Sequence, residues 1–253
     1  MLSRRLAEFK LAFLLFTRFP VGRVADFVPA MGASSWAWPL AGLAVSVPAS
    51  LAYLLLYAAG LGAQVAALGL VAVLALCSGA MHEDGLADMA DGFGGGHSKQ
   101  RKLDIMRDSR IGSYGVLALI FAVAIHVSLI ARLEDPALVI SAAIGLSMAS
   151  RGCLPLWLRW MPPARTDGLG RTVKSVSLGN AFVAAAIGFA GLASAGLLPA
   201  ILALCAVLAC GAGVSVLALK QIGGQTGDVM GALQKLSEIA GWAVLAALTG
   251  VPL

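Results

Sequence analysis

Charge is scarce in this chain. Only 12% of its 253 residues are Asp, Glu, Lys or Arg, against 59% hydrophobic, and the mean hydropathy is +0.89. A soluble core would show polar residues at helical period, whereas the runs here are apolar on every face, which predicts membrane-spanning helices. Cysteine is also sparse. Cys77, Cys153, Cys205 and Cys210 all fall inside apolar runs with no CxxC pair, which argues against disulfides and thiolate metal sites and for small buried hydrophobes. There are three histidines, none at zinc spacing or in a readable Ser/His/Asp set. The net charge of +5 does not indicate nucleic acid, because the basic residues sit in short segments between apolar runs, where they orient a protein in a membrane.

Apolar spans are expected at 36–58, 62–81, 113–131, 136–158, 180–197, 199–219 and 238–253, each near the ~20 residues a crossing helix needs. This predicts an all-α polytopic transmembrane helix bundle of about seven spans, forming one domain over 1–253. At the start, Leu2, Leu6, Phe9, Phe13 and Phe16 recur at helical spacing, and Lys10 and Arg18 interrupt what would otherwise resemble a leader. We read an amphipathic interfacial helix within 1–30. With the N-terminus cytoplasmic, segments 1–35, 82–112, 159–179 and 220–237 share one face and hold nearly every Lys and Arg, including Lys220 and Lys235. The opposite face receives only Arg132, and Arg151 lies within a span.

Against this apolar background, residues 80–97 read AMHEDGLADMADGFGGGH and hold four of the 13 acidic residues. Asp84, Asp88 and Asp91 stand at i, i+4 and i+7, an arc of about 60° on one helical face, while Glu83 points elsewhere. Like charges at this spacing repel, so a compensating cation is required, and oxygen-only ligands favour a hard ion such as Mg²⁺. The bland reading is a solvated helix end that terminates a span. Gly94 and Gly95, within a glycine run, let backbone amides approach a phosphate. Lys99, Arg107 and Arg110 add positive charge on the same face. Asp108 is either a further metal ligand or the partner of a neighbouring arginine.

Asp228, between glycines in KQIGGQTGDVMGALQKLSE, is either a turn or cap residue or a second acid facing the first cluster. The loop LRWMPPARTDGLGRTVKS adds Arg165 and Arg171 for an anionic substrate. His82 lies opposite Asp84 on the helical wheel and reads as a packing or capping residue, and His126 sits in an apolar span without a visible partner. A carboxylate-bound metal beside basic side chains at a membrane surface suits attack of an alcohol on a diphosphate with loss of a nucleoside monophosphate.

HEDGLADMADGFGGG followed by RKLDIMRDSRIGSYG resembles the motif of the cobalamin synthase family, and FTRFPVG, ARTDGLG and GGQTGDVMGA extend the resemblance over nearly the whole chain. The resemblance implies a Mg²⁺-dependent enzyme of the bacterial inner (cytoplasmic) membrane. It would join adenosylcobinamide-GDP to α-ribazole or its 5′-phosphate, release GMP, and associate with the lipid bilayer and with other corrinoid-pathway proteins. It implies metal ligation by Asp84, Asp88, Asp91 and Asp228, catalytic roles for Asp84, Asp108 and Asp228, and phosphate contacts from Lys99, Arg107 and Arg110.

Three other readings compete with this one. A CDP-alcohol phosphotransferase shares the chemistry, but Phe93 to Gly96 replaces that family's expected xxAR and the two motif halves lie too close together. A prenyltransferase would need NDxxD motifs, which are lacking. A transporter would place ionisable groups at mid-span, whereas these carboxylates gather at one interface.

Overall fold

The computed structural model describes residues 2–22, 28–165 and 176–249, with the side chains of Leu2 and Thr249 excepted. All regular structure among them is helical. The helices are α1 (Leu2–Phe16), α2 (Trp38–Ala58), α3 (Gly62–Ser78), α4 (Met81–Gly95), α5 (Lys99–Ile105), α6 (Ser113–Ala131), α7 (Pro136–Trp160), α8 (Leu178–Leu192), α9 (Leu197–Ile222) and α10 (Gly227–Thr249), with 3₁₀ turns at Met31–Ala37 and Ala193–Ala195. The four cysteines are free thiols.

Five segments are long and apolar enough to cross a bilayer: Met31–Ala58, Ser113–Ala131, Pro136–Trp160, Leu178–Ala195 and Leu197–Ile222. The chain is a membrane protein of the expected all-α bundle type. α3 makes a sixth crossing only together with α4, from which it is bent by 90°. The bend has a local cause: Gly79 (φ +70°) and Ala80 (φ +55°) are both left-handed, a conformation that ends a helix and that Gly adopts without strain. α4 therefore turns its carboxylates away from the crossing direction.

The expected seventh span differs most. The last helix begins at Gly227 rather than 238, so the segment 220–237 is helical on both sides of a short break at 223–226. Its first half holds Gln234, Lys235, Ser237 and Glu238, all buried, which keeps α10 below the hydropathy of a simple span. Lys235 is thus an interior residue and not a topology-setting loop lysine. The N-terminal helix is shorter than 1–30. It stops at Phe16 and packs on the 3₁₀ turn, where buried Glu8 accepts hydrogen bonds from Arg5 (2.8 Å) and the Trp36 indole (2.9 Å).

α7 is the most enclosed span, packed on α2 and α8, while α10 packs on α9 and α4. Small residues set these approaches, as in membrane bundles generally. A methyl added at Gly152 would stand 2.6 Å from the Ala184 carbonyl oxygen of α8, and one at Gly145 2.6 Å from the Leu192 Cα.

Candidate active site

α4 and α10 cross at two glycines. A methyl on Gly85 would lie 2.7 Å from the Asp228 carbonyl oxygen and 3.2 Å from the Gly231 Cα, and one on Gly231 would lie 3.2 Å from the Met81 carbonyl oxygen. This close approach sets the first turn of α10, with Asp228, against the stretch of α4 that bears Asp84 and Asp88. A second tie brings in the segment after α7. The Gln225 amide donates to the Pro162 carbonyl (2.8 Å) and the Ala164 amide to the Gln225 carbonyl (2.9 Å). Arg165 is carried to within 3.9 Å of the Asp228 carboxylate and donates to the Leu103 carbonyl of α5 (2.9 Å). α5 is strapped to the end of α9 by the Lys102 ammonium donating to the Gln221 side-chain carbonyl.

Asp88 registers this convergence most clearly. Its carboxyl is pushed up to about 7 by burial and by the negative charges of Asp84, Asp228 and Asp91, against the pull of Arg165. Asp228 is raised by burial, opposed by Arg165 and Arg107 and by a 3.2 Å hydrogen bond donated by the Thr226 hydroxyl. Asp84 is exposed, and Asp228 and Asp88 are half-buried. Asp84, Asp88 and Asp228 with Arg107 and Arg165 therefore form one electrostatic unit at the end of the bundle. Among the described residues, no group of three or more His, Cys, Asp or Glu side chains is close enough to hold an ion by itself.

Three expected residues are employed differently. Both Asp91 oxygens are taken by backbone amides at the start of α6, one from Gly112 (2.7 Å) and one from Gly115 (2.8 Å). A methyl at either glycine would collide with that carboxylate, so glycine is what admits the contact. Asp91 satisfies orphan helix amides and lies at the positive end of the α6 dipole, a use that Asp84 and Asp88 do not share. Gly94 and Gly95 form the last turn of α4. Their amides point back along the helix, away from its electronegative C-terminal end.

Asp108 is an exposed carboxylate in ion-pair contact with Arg110 (2.7 Å), and the hydrogen bonds from Arg110 hold it down at about 2. Both line an open cleft with Asp91, Gly95, Arg101, Asp104 and Tyr114. The arginine partner named among the options for Asp108 is present as Arg110. Lys99 is exposed and comes up beside Gly223 at the α9–α10 break. Arg171 lies outside the described residues.

Replacing Asp91 by Ala is expected to cost about 2 kcal/mol through loss of the α6 cap, read as a lowered thermal midpoint in a fixed detergent. Asp108→Asn is expected to leave that midpoint unshifted and turnover within twofold.

Behind the carboxylates lies a buried polar network. Lys235 pairs with Glu83 at 2.9 Å. The Gln234 amide donates to Glu238 (2.8 Å) and to the Ser150 hydroxyl (2.9 Å). Arg151 donates to the Ser147 hydroxyl (2.7 Å) and carbonyl (3.0 Å). Arg151 and His126 are therefore not alone in the interior, since Lys235, Glu238 and most of Glu83 join them. No local pattern signals this, because the partners lie on α4, α7 and α10.

Fold and site together define a class: an all-helical membrane protein with acidic and basic side chains gathered at one end of the bundle. Comparison with known proteins narrows it. Residues 8–246 match the family described as cobalamin-5-phosphate synthase (CobS), and the chain belongs to that family. It is 43% identical over 236 residues to the adenosylcobinamide-GDP ribazoletransferase of Mesorhizobium japonicum, covering 93% of this chain and 91% of that one. It is 40% identical to the protein of the same name from Bradyrhizobium diazoefficiens (92% and 91% covered) and 41% identical to that from Azorhizobium caulinodans (94% of each). No solved structure matches.

Proposed function

We propose that this chain transfers the adenosylcobinamide-phosphate group from adenosylcobinamide-GDP to α-ribazole or its 5′-phosphate, releasing GMP in a late step of cobalamin assembly. The observation that carries the proposal is the α4–α10 crossing, which sets Asp84 and Asp88 against Asp228 with Arg165 and Arg107 alongside. The names of the similar proteins supply the substrates. In the reaction, the acceptor hydroxyl oxygen bonds to the phosphorus that bears the corrinoid. The bond from that phosphorus to the bridging oxygen breaks, and GMP departs with the electron pair. A carboxylate of the Asp84, Asp88 and Asp228 set takes the hydroxyl proton, and Arg165 and Arg107 hold phosphate oxygens as charge builds on them.

Mg²⁺ is proposed as the cofactor, with Asp84, Asp88 and Asp228 as its holders. The residues fit: the donors are all oxygens, and the mutual repulsion that raises Asp88 is what a cation would relieve. Since no three of the described carboxylates are grouped closely enough to hold an ion, substrate phosphate and water would supply the other positions, as is usual for this ion. When bound, it supplies neutralisation of charge on the transferring phosphoryl group and the leaving phosphate.

The distribution of Lys and Arg supports a bacterial inner-membrane placement with the N-terminus and this site cytoplasmic. Association with other corrinoid-pathway proteins belongs to the same proposal. The buried charges would suit a transport path, but Lys235 with Glu83 and Glu238 with Gln234 are held in close contacts within the bundle, which favours a structural role.

Purified protein in lipid is expected to release GMP from adenosylcobinamide-GDP when α-ribazole and Mg²⁺ are both present. Release that ignores both, or no release in any combination, overturns the proposal.

A further inference from the structure

Beside the carboxylate site the structure holds a cavity that the chemistry above leaves unused. Its volume is about 80 Å³, below the roughly 300–1,000 Å³ of sites that enclose a whole ligand, so it has room for one ring system and not for an entire substrate. Its walls are aromatic and apolar: Phe16, Trp38, Leu154 and Met230 line it, with the Phe16 and Trp38 rings edge to face at 5.2 Å. His82 lies among them, its ring 5.8 Å from that of Phe16. His82 is 3% exposed, and neither ring nitrogen has a hydrogen-bond partner among the described residues. A buried imidazole left in this way costs stability unless something completes it.

Two elements build both the cavity and the carboxylate cluster. Met81 and His82 open α4 just ahead of Asp84, and Gly227 adjoins Asp228. Asp84, Asp88 and Asp228 do not line the cavity, so a ligand held there meets the diphosphate only through an arm that leaves it. Resting on the function proposed above, we propose that this cavity binds the heteroaromatic base of the ribosylated acceptor, a flat methylated bicycle, with His82 donating to its unsubstituted ring nitrogen. The ribosyl hydroxyl then projects toward Asp84 and Asp228. An acyl chain would also suit the apolar walls, but it gives the buried imidazole nothing to bond; a benzimidazole satisfies both.

The test compares steady-state kinetics of the purified protein in lipid with two acceptors, α-ribazole and the smaller riboside lacking both ring methyls. His82→Phe is expected to raise the KM for α-ribazole at least tenfold while the KM for adenosylcobinamide-GDP stays within twofold. Leu154→Phe, which narrows the cavity, is expected to weaken α-ribazole more than the unmethylated riboside, so that the smaller base restores part of the loss. A structural defect alone would move both acceptors and the donor together. Such a uniform loss in both variants, or acceptor KM values unchanged in both, overturns the cavity assignment. So does restoration of His82→Phe by changing the acyl chains of the lipid, which would give the cavity to a lipid tail. Absence of turnover in the unsubstituted protein would count against the reaction itself and is read separately.

Discussion

Lys235→Met is expected to be the most destabilising single change in the chain. The ammonium it removes is 2% exposed and sits 2.9 Å from the Glu83 carboxylate, itself 15% exposed. Truncating one partner of a buried pair leaves an uncompensated charge, at a cost of about 3–5 kcal/mol, or roughly 10 °C in the unfolding midpoint for a chain of this size. The double variant Glu83→Gln with Lys235→Met is expected to recover most of that loss, because removing both charges spares the desolvation that a lone one suffers. Thermal unfolding of the three proteins in one detergent checks the coupling. If the double variant falls by the sum of its parts, the pair does not hold α4 against α10.

The second large effect is on catalysis. Asp84→Asn keeps the size and half of the acceptor capacity of the side chain but removes its charge. It is expected to lower turnover by about a hundredfold or more, the scale seen when one electrostatic partner of a phosphoryl or oxyanion site is lost. Asp228→Asn should lose a comparable amount, and the two together should lose less than the product, since both serve one unit. Melting points near that of the unsubstituted protein would assign the loss to chemistry, because Asp84 is exposed. Turnover within threefold of the starting protein would remove Asp84 from the site.

How far the sequence revealed this arrangement depends on whether a residue's partner is local. Hydropathy alone indicated the helical bundle, because the apolar runs are long and their lengths match a bilayer. Helical spacing also separated Glu83 from Asp84 and Asp88. In the structure Glu83 turns inward to Lys235 while the other two remain at the surface end with Asp228. Asp91 shares their spacing but not their surroundings. Its partners are the amides of Gly112 and Gly115, on a helix that begins 22 residues later in the chain, and no periodicity reports such a contact.

The start of α10 was hidden for a similar reason. Gln234, Lys235 and Glu238 look like loop residues until Ser150 and Glu83 are seen to meet them. The glycine run was read as a cradle because glycine permits one. Instead, close packing uses the glycines around it: a methyl at Gly92 would collide with Met106 of the covering segment, and one at Gly96 would lie 2.8 Å from the Lys102 amide. The cavity beside His82 was not legible at all. Its walls come from α1, α2, α4, α7 and α10, and the wheel marked His82 only as facing away from the carboxylates.

The central claim is that Asp84, Asp88 and Asp228 receive a divalent cation together with a diphosphate. The most direct measurement is Mn²⁺ binding, as a spectroscopic stand-in for Mg²⁺, to the purified protein in lipid by electron paramagnetic resonance, with and without adenosylcobinamide-GDP. The account predicts one saturable class of ion whose affinity rises at least tenfold with the donor and falls at least tenfold in both Asp84→Asn and Asp228→Asn. Equal Mn²⁺ affinity in all three proteins, with the donor present, would contradict it.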